Sequence, residues 1–169
     1  MRPPFLKLGG EDNFADYQTE FHRLLPSGLI DFLGNQVNFP PGSCHHICYK
    51  QSDVRSSSSP RDQWRQDRAE RIPWIKVALQ KPTFICEGSR PMWVYLVEIE
   101  QDRGNNLVPE LFCVVVDARD VEPETPGTVY FVTGYTISFR EWNDKKKNGR
   151  WIHPPPKPYK PGKIKKKKT

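Results

Sequence analysis

Apolar residues recur in DNFADYQTEFHRLL at Phe14, Tyr17, Phe21, Leu24 and Leu25, the spacing of one helix face. This predicts a helix over residues 12–25, capped by Asp12 or Asn13 and stopped by Pro26. A short apolar stretch at 29–33 follows. Val37 and Phe39 then alternate with polar residues as a short strand would, until Pro40-Pro41-Gly42 breaks it. Beyond a serine run, RDQWRQDRAE is polar and charged, and helix is expected to resume there. Ile72, Ile75 and Leu79 form the stripe of a packed helix. Pro73 is tolerable only in a first turn, so that helix starts near Glu70 or Arg71, or kinks there. Pro82 ends it.

The period then changes. Residues 83–86, 92–100, 111–117 and 129–136 are rich in β-branched and aromatic side chains, and GSRP, QDRGNN and DVEPETPG separate them. Four consecutive strands on short connections predict a four-stranded antiparallel sheet. With helices first and strands after, the fold class expected is α+β.

Composition divides the chain. Residues 145–169 carry ten lysines, one arginine and no acid, leaving 15 basic and 20 acidic residues on the rest. The net +6 therefore describes no basic body, and a basic site on it must be local. The expected organisation is one domain over 1–141, with a flexible Ser-rich loop at 51–60. A Pro/Lys-rich disordered tail is expected over 142–169, able to bind nucleic acid non-specifically through its charge. No apolar run is long enough for a membrane span, and the N-terminus lacks a signal-peptide core. A cytoplasmic protein with free thiols at Cys44, Cys48, Cys86 and Cys113 is expected. Cys44 and Cys48 bracket two histidines, but no second ligand pair matches them, so neither a metal nor a cofactor is expected. No phosphate-cradling, dinucleotide, zinc-protease or nucleophile-elbow motif is present.

The remaining chemistry rests on a few side chains. His45 and His46 follow a proline turn, and an imidazole is the natural general base for a ribose hydroxyl. Arg68 and Lys76 flank the packed stripe of a continuous helix, while Arg71 points farther round it. Such cations would hold a scissile phosphate or simply reach past the core to water. On the last strand Thr133 and Tyr135 are candidates for phosphate or base contact, and Gly134 marks a bulge or the close approach of a ligand backbone. Lys50, Ser138 and Arg140 complete the candidate substrate contacts.

In order, Val37-Asn38-Phe39, His46-Ile47, RAERIPWI from Arg68, Leu79 with Pro82, Phe84-Ile85 and Phe131-Val132-Thr133-Gly134-Tyr135 resemble a known pattern. It is similar to the phage-associated branch of the barnase–EndoU–colicin–RelE-like nuclease superfamily. The resemblance implies a small α+β fold and metal-independent RNase activity. It matches His46 to the family histidine, Arg68 or Arg71 to the helix arginine, and Thr133 and Tyr135 to the polar pair of the last strand. The serine loop, Gly134 in place of a usual alanine, and the extra His45 depart from the pattern. The expected function is RNA cleavage by 2′-OH transesterification, as a toxin or mobile-element effector, with an immunity protein or antitoxin left open as partner. The alternatives are a non-catalytic nucleic-acid-binding or interaction module and a purely structural protein of a mobile element.

Overall fold

The computed structural model describes residues 3–51, 60–103 and 106–154. Helix α1 (Phe14–Leu24) follows a 3-10 turn at Glu11–Asn13 and buries Tyr17 and Phe21, as its apolar spacing requires. Next come β1 (Leu29–Ile30), β2 (Gln36–Asn38), the short helix α2 (Ser43–Cys48) and β3 (Tyr49–Gln51). After them lie β4 (Arg61–Trp64), the single turn α3 (Gln66–Ala69) and α4 (Ile72–Gln80). The second half holds β5 (Phe84–Glu87), β6 (Met92–Arg103), β7 (Asn106–Asp117) and β8 (Thr128–Thr136), then α5 (Phe139–Asn148) and β9 (Trp151–His153).

The four predicted strands are present as β5 to β8, but the predicted four-stranded antiparallel sheet is not. The sheet has seven strands in the order β1-β2-β8-β7-β6-β5-β9, and β3 pairs with β4 in a separate ribbon. It is also mixed, because β2 joins β8 in parallel (Val37 opposite Val129). The reason is backbone accounting. Left alone, β5 and β8 would each expose a row of unpaired N–H and C=O groups. Strands of two or three residues, too short for a period-2 signal, cover those edges from distant parts of the chain.

Ordered structure also extends into the predicted disordered tail. Ser138 caps α5 by accepting from the Glu141 backbone N–H at 3.1 Å, and Glu141 and Lys145–Lys147 complement the helix dipole at its two ends. Trp142, 3% exposed, packs edge-on against Phe84. β9 pairs with β5 antiparallel. Of the tail, residues 155–169 lie outside the described residues, as do 52–59 of the serine loop.

Both faces of the central strands are covered. Trp93, Tyr95, Val97, Phe112, Val114 and Phe131 join α1, α2 and α4 in the larger core. Phe84, Val94, Leu96 and Cys113 pack with Ile137 and Trp142 in a smaller one. The Tyr95 hydroxyl inside the larger core donates to Asp31, which also accepts from the Asn35 side-chain amide at 3.0 Å. These three polar side chains are therefore paired, as burial demands, whereas the Trp74 indole nitrogen in the same core has no hydrogen-bond partner among the described residues.

The polar stretch before α4 is not one helix. Residues Arg61–Trp64 form a strand, and α3 is separated from α4 at Glu70–Arg71. Pro73 explains the break: it offers no N–H, and its ring would strike the carbonyl four residues back. Ile72, Trp74, Ile75, Ala78 and Leu79 are each 0% exposed, so α4 is buried over most of its circumference. The break also frees Arg68 from the helical phase of Arg71 and Lys76.

Candidate functional site

Two β-bulges shape one cleft. The first interrupts the β7–β8 pairing: Val115 faces Thr133 and Val116 faces Phe131, so Val132 is the extra residue. It reverses the alternation of β8. Val129 and Phe131 point into the larger core, while Tyr135 packs on the smaller core across the sheet. Gly134, not Thr133 or Tyr135, then continues the face of Phe131. A Cβ at Gly134 would lie 3.2 Å from Phe112 Cζ and 3.4 Å from Ile75 Cγ1. The space at this glycine is taken by Phe112 of β7 and by Ile75 of α4, so its close neighbours are the chain's own side chains. The second bulge lies between Lys50 and Gln51 in the β3–β4 ribbon, and both of these neighbours line the cleft. Bulges re-aim side chains in this way beside functional sites.

The cleft has a volume of about 470 Å³ and is lined by His46, Lys50, Gln51, Arg61, Arg65, Arg68, Thr133 and Tyr135. β8 pairs with β2 only as far as Tyr130, and α2 packs against it. Gly42, left-handed at φ 84°, opens α2, and its carbonyl accepts from the His46 N–H at 2.9 Å. On this one short helix the two histidines part. His45 is exposed and stacks on Tyr49 at 4.4 Å, whereas His46 is half-buried in the cleft. Ile47 between His46 and Cys48 is buried and ties α2 to the core.

Electrostatics separate His46 further. Burial, then the positive charges of Arg61 and Arg68 and the neighbouring His45, hold its pKa below the ordinary histidine value. Both causes favour the neutral form of the ring. Burial likewise pushes the Tyr135 phenol up, with Cys113 adding to the effect. Burial lowers the Arg68 pKa, and Arg65 and Arg61 add to it while Asp67 opposes.

The cations differ in their partners. Arg23, Arg71, Arg119 and Arg150 each pair with a carboxylate elsewhere on the body. Within the cleft Arg65 is held by Asp67 at 2.8 Å. Burial would raise the Asp67 carboxyl, but Arg65, with Arg71 and Arg68, holds it below its usual value. Lys50, Arg61 and Arg68 have no ion-pair partner among the described residues. Arg61 does donate to the Tyr49 carbonyl at 3.3 Å.

The sequence candidates are thus divided. His46, Arg68, Lys50, Thr133 and Tyr135 meet in the cleft. Arg71 does not: it donates to Glu110 and stacks at 5.1 Å on Phe5 and 5.0 Å on Trp74, as a structural pair. Lys76 lines a different cavity, with Pro3–Leu6, Leu24 and Val77. Ser138, the cap of α5, and Arg140 in its first turn lie along a separate depression with Asp144 and Lys147. Arg61 and Arg65 were not anticipated. The residue between them that betrays the ribbon is Trp64, which packs edge-on against Phe14, Tyr17 and Tyr49.

Cys44 and Cys48 are buried free thiols with sulfurs 4.0 Å apart. Among the described residues no three His, Cys, Asp or Glu side chains group as metal ligands would. Nor is any described helix long and apolar enough to cross a membrane. Compared with known protein families, curated proteins and solved structures, the chain has no match.

Proposed function

We propose that the cleft binds an RNA phosphodiester and cleaves it without a metal, through attack by the ribose 2′-oxygen. The supporting observation is the meeting, on an acidic body, of three cations lacking carboxylate partners among the described residues with a histidine whose neutral form is favoured. Such cations await an anion. At an effective dielectric of 20, a phosphate charge about 4 Å from a guanidinium gains roughly 4 kcal/mol before desolvation is subtracted. In this reading His46 takes the 2′-OH proton, the oxygen attacks phosphorus, and the P–O5′ bond breaks to give a 2′,3′-cyclic phosphate, the leaving 5′-oxygen taking its proton from water. Arg68 stabilises the added charge on the phosphate. Thr133 and Tyr135 orient it, and Lys50 and Arg61 hold neighbouring phosphates.

Incubating total RNA with the protein in EDTA tests this. Wild type is expected to cut, His46→Ala not to, and DNA to survive because it lacks the 2′-OH. Loss of activity in EDTA, or equal cutting of DNA, rules the mechanism out.

One observation favours a second reading, a non-catalytic nucleic-acid-binding module. Of the described residues lining the cleft, only His46 is of a type that titrates near neutrality, so no obvious second group protonates the leaving 5′-oxygen. Binding of RNA that is unchanged in His46→Ala, with no cleavage by wild type, would establish it.

A further inference from the structure

Helix α3 has four residues and no side-chain N-cap, too little to stand on its own hydrogen bonds. Yet it carries Arg68, and Arg65 immediately precedes it. Besides the burial of Ala69 and the Arg71 guanidinium that donates to the Asp67 carbonyl, what holds it is the side chain of Gln66. Its Oε1 accepts from the Trp64 indole N–H at 2.9 Å. Its Nε2 lies 2.8 Å from the Gly9 carbonyl, 3.0 Å from the Tyr17 hydroxyl and 2.9 Å from Glu70 Oε1. An indole only donates and a carbonyl only accepts, so the amide has one workable orientation. The Tyr17 hydroxyl completes the junction by donating to Gly9 O at 2.9 Å, and Leu6 N–H donates to Glu70 O at 2.8 Å. One side chain therefore ties the ribbon, α1 and the N-terminal segment to the turn that bears the cleft's guanidinium.

We infer that Gln66 is a positioning residue of the cleft, fixing the turn of α3 and so the place of Arg68 beside His46 and Tyr135. It touches no substrate and acts through Arg68. The catalytic part of this inference rests on the RNA-cleavage reading; the positional part does not.

The positional part has a readout independent of cleavage. His46 feels Arg61, Arg68 and His45, with Lys50, Arg65 and Tyr135 also facing the cleft. If Arg68 is released from its place, the His46 titration moves up toward the ordinary value. The experiment follows the His46 ring protons by NMR across pH in wild type, Gln66→Met, Arg68→Ala and Tyr17→Phe. Methionine matches glutamine in length and cannot make these bonds. The expected result is an upward shift of His46 in Gln66→Met, in the same direction as Arg68→Ala, and a smaller one in Tyr17→Phe. On RNA, kcat in Gln66→Met is expected to fall about tenfold with KM little changed.

A His46 titration identical to wild type in the folded Gln66→Met and Tyr17→Phe proteins overturns the inference. If Gln66→Met does not fold, Tyr17→Phe decides alone. If wild type cuts no RNA, the nuclease reading fails, while the NMR shift still judges the positioning.

Discussion

The Arg68 guanidinium carbon stands 6.0 Å from the centre of the Tyr135 ring. The two residues come from a one-turn helix and from a strand 67 positions later in the chain. Both residues line the cleft with His46, and their contact is within cation–π range. It makes the phenol ring the platform on which the unpaired guanidinium rests, so the cation is aimed without being neutralised.

The pH dependence should follow His46. Its pKa lies below the ordinary 6.5, so kcat/KM on RNA is expected to rise with pH through that lowered value and then level off. Arg68→Ala removes a nearby positive charge and should carry the rising limb to higher pH. The same depression makes His46 stabilise the fold above pH 6.5, a contribution lost as pH falls through the folded pKa. Urea midpoints against pH should show that loss in wild type and a flatter profile in His46→Gln.

Salt should weaken binding in proportion to the phosphates held. Each phosphate neutralised on a single strand contributes about −0.7 to the slope of log K against log salt. Replacing Lys50 and Arg61 together by alanine is expected to flatten that slope by roughly one to one and a half, measured with a 2′-deoxy oligonucleotide that cannot be cut. An unchanged slope would place the phosphates elsewhere on the molecule.

Arg71 should matter for stability rather than for cleavage. Its side chain is 14% exposed and Glu110's 16%; both Arg71 bonds go to Glu110 Oε1, and buried Oε2 has no hydrogen-bond partner among the described residues. Arg71→Ala would leave that carboxylate buried without its cation, at a cost of about 3 kcal/mol. Thermal melting should show the loss, while the specific activity of the protein still folded stays within about twofold. A large kcat defect at full stability would return Arg71 to the site.

Gly134→Val should destabilise without removing any group from the cleft. A side chain there meets Phe112 and Ile75 between the sheet and α4, an overpacking cost of about 1–3 kcal/mol. A melting temperature equal to wild type would show that α4 can give way. Leu79→Ala in the same layer is the opposite case, a cavity worth about 2–5 kcal/mol.

Several individual elements were legible in the chain itself, though not the sheet they build or the expected order of helices first and strands after. The stripe Tyr17–Phe21 and the stripe Ile72–Ile75–Leu79 recur at helical spacing because each helix buries one face, and β5 to β8 are long enough to show strand composition. The mixed, seven-stranded character was not legible. Strands such as Leu29–Ile30 and Trp151–His153 form because long-range edges need partners, and no local pattern records that need. The lysines of α5 hid a helix for a similar reason, since one buried residue, Trp142, anchors it.

The cleft follows the same division. Residue types alone nominated His46, Arg68, Lys50, Thr133 and Tyr135, because imidazole and guanidinium chemistry is visible in one dimension. They equally nominated Arg71, Lys76, Ser138 and Arg140, since a cation beside a helical stripe looks alike whether it meets a carboxylate, a cavity or solvent. Tertiary structure separated these sets through the break before Pro73, which the proline itself signals, and through the placement of two bulges, at Val132 and between Lys50 and Gln51. Each reorients the backbone where distant segments pack, so local sequence supplied the chemical groups, and only long-range packing decided which of them face one another.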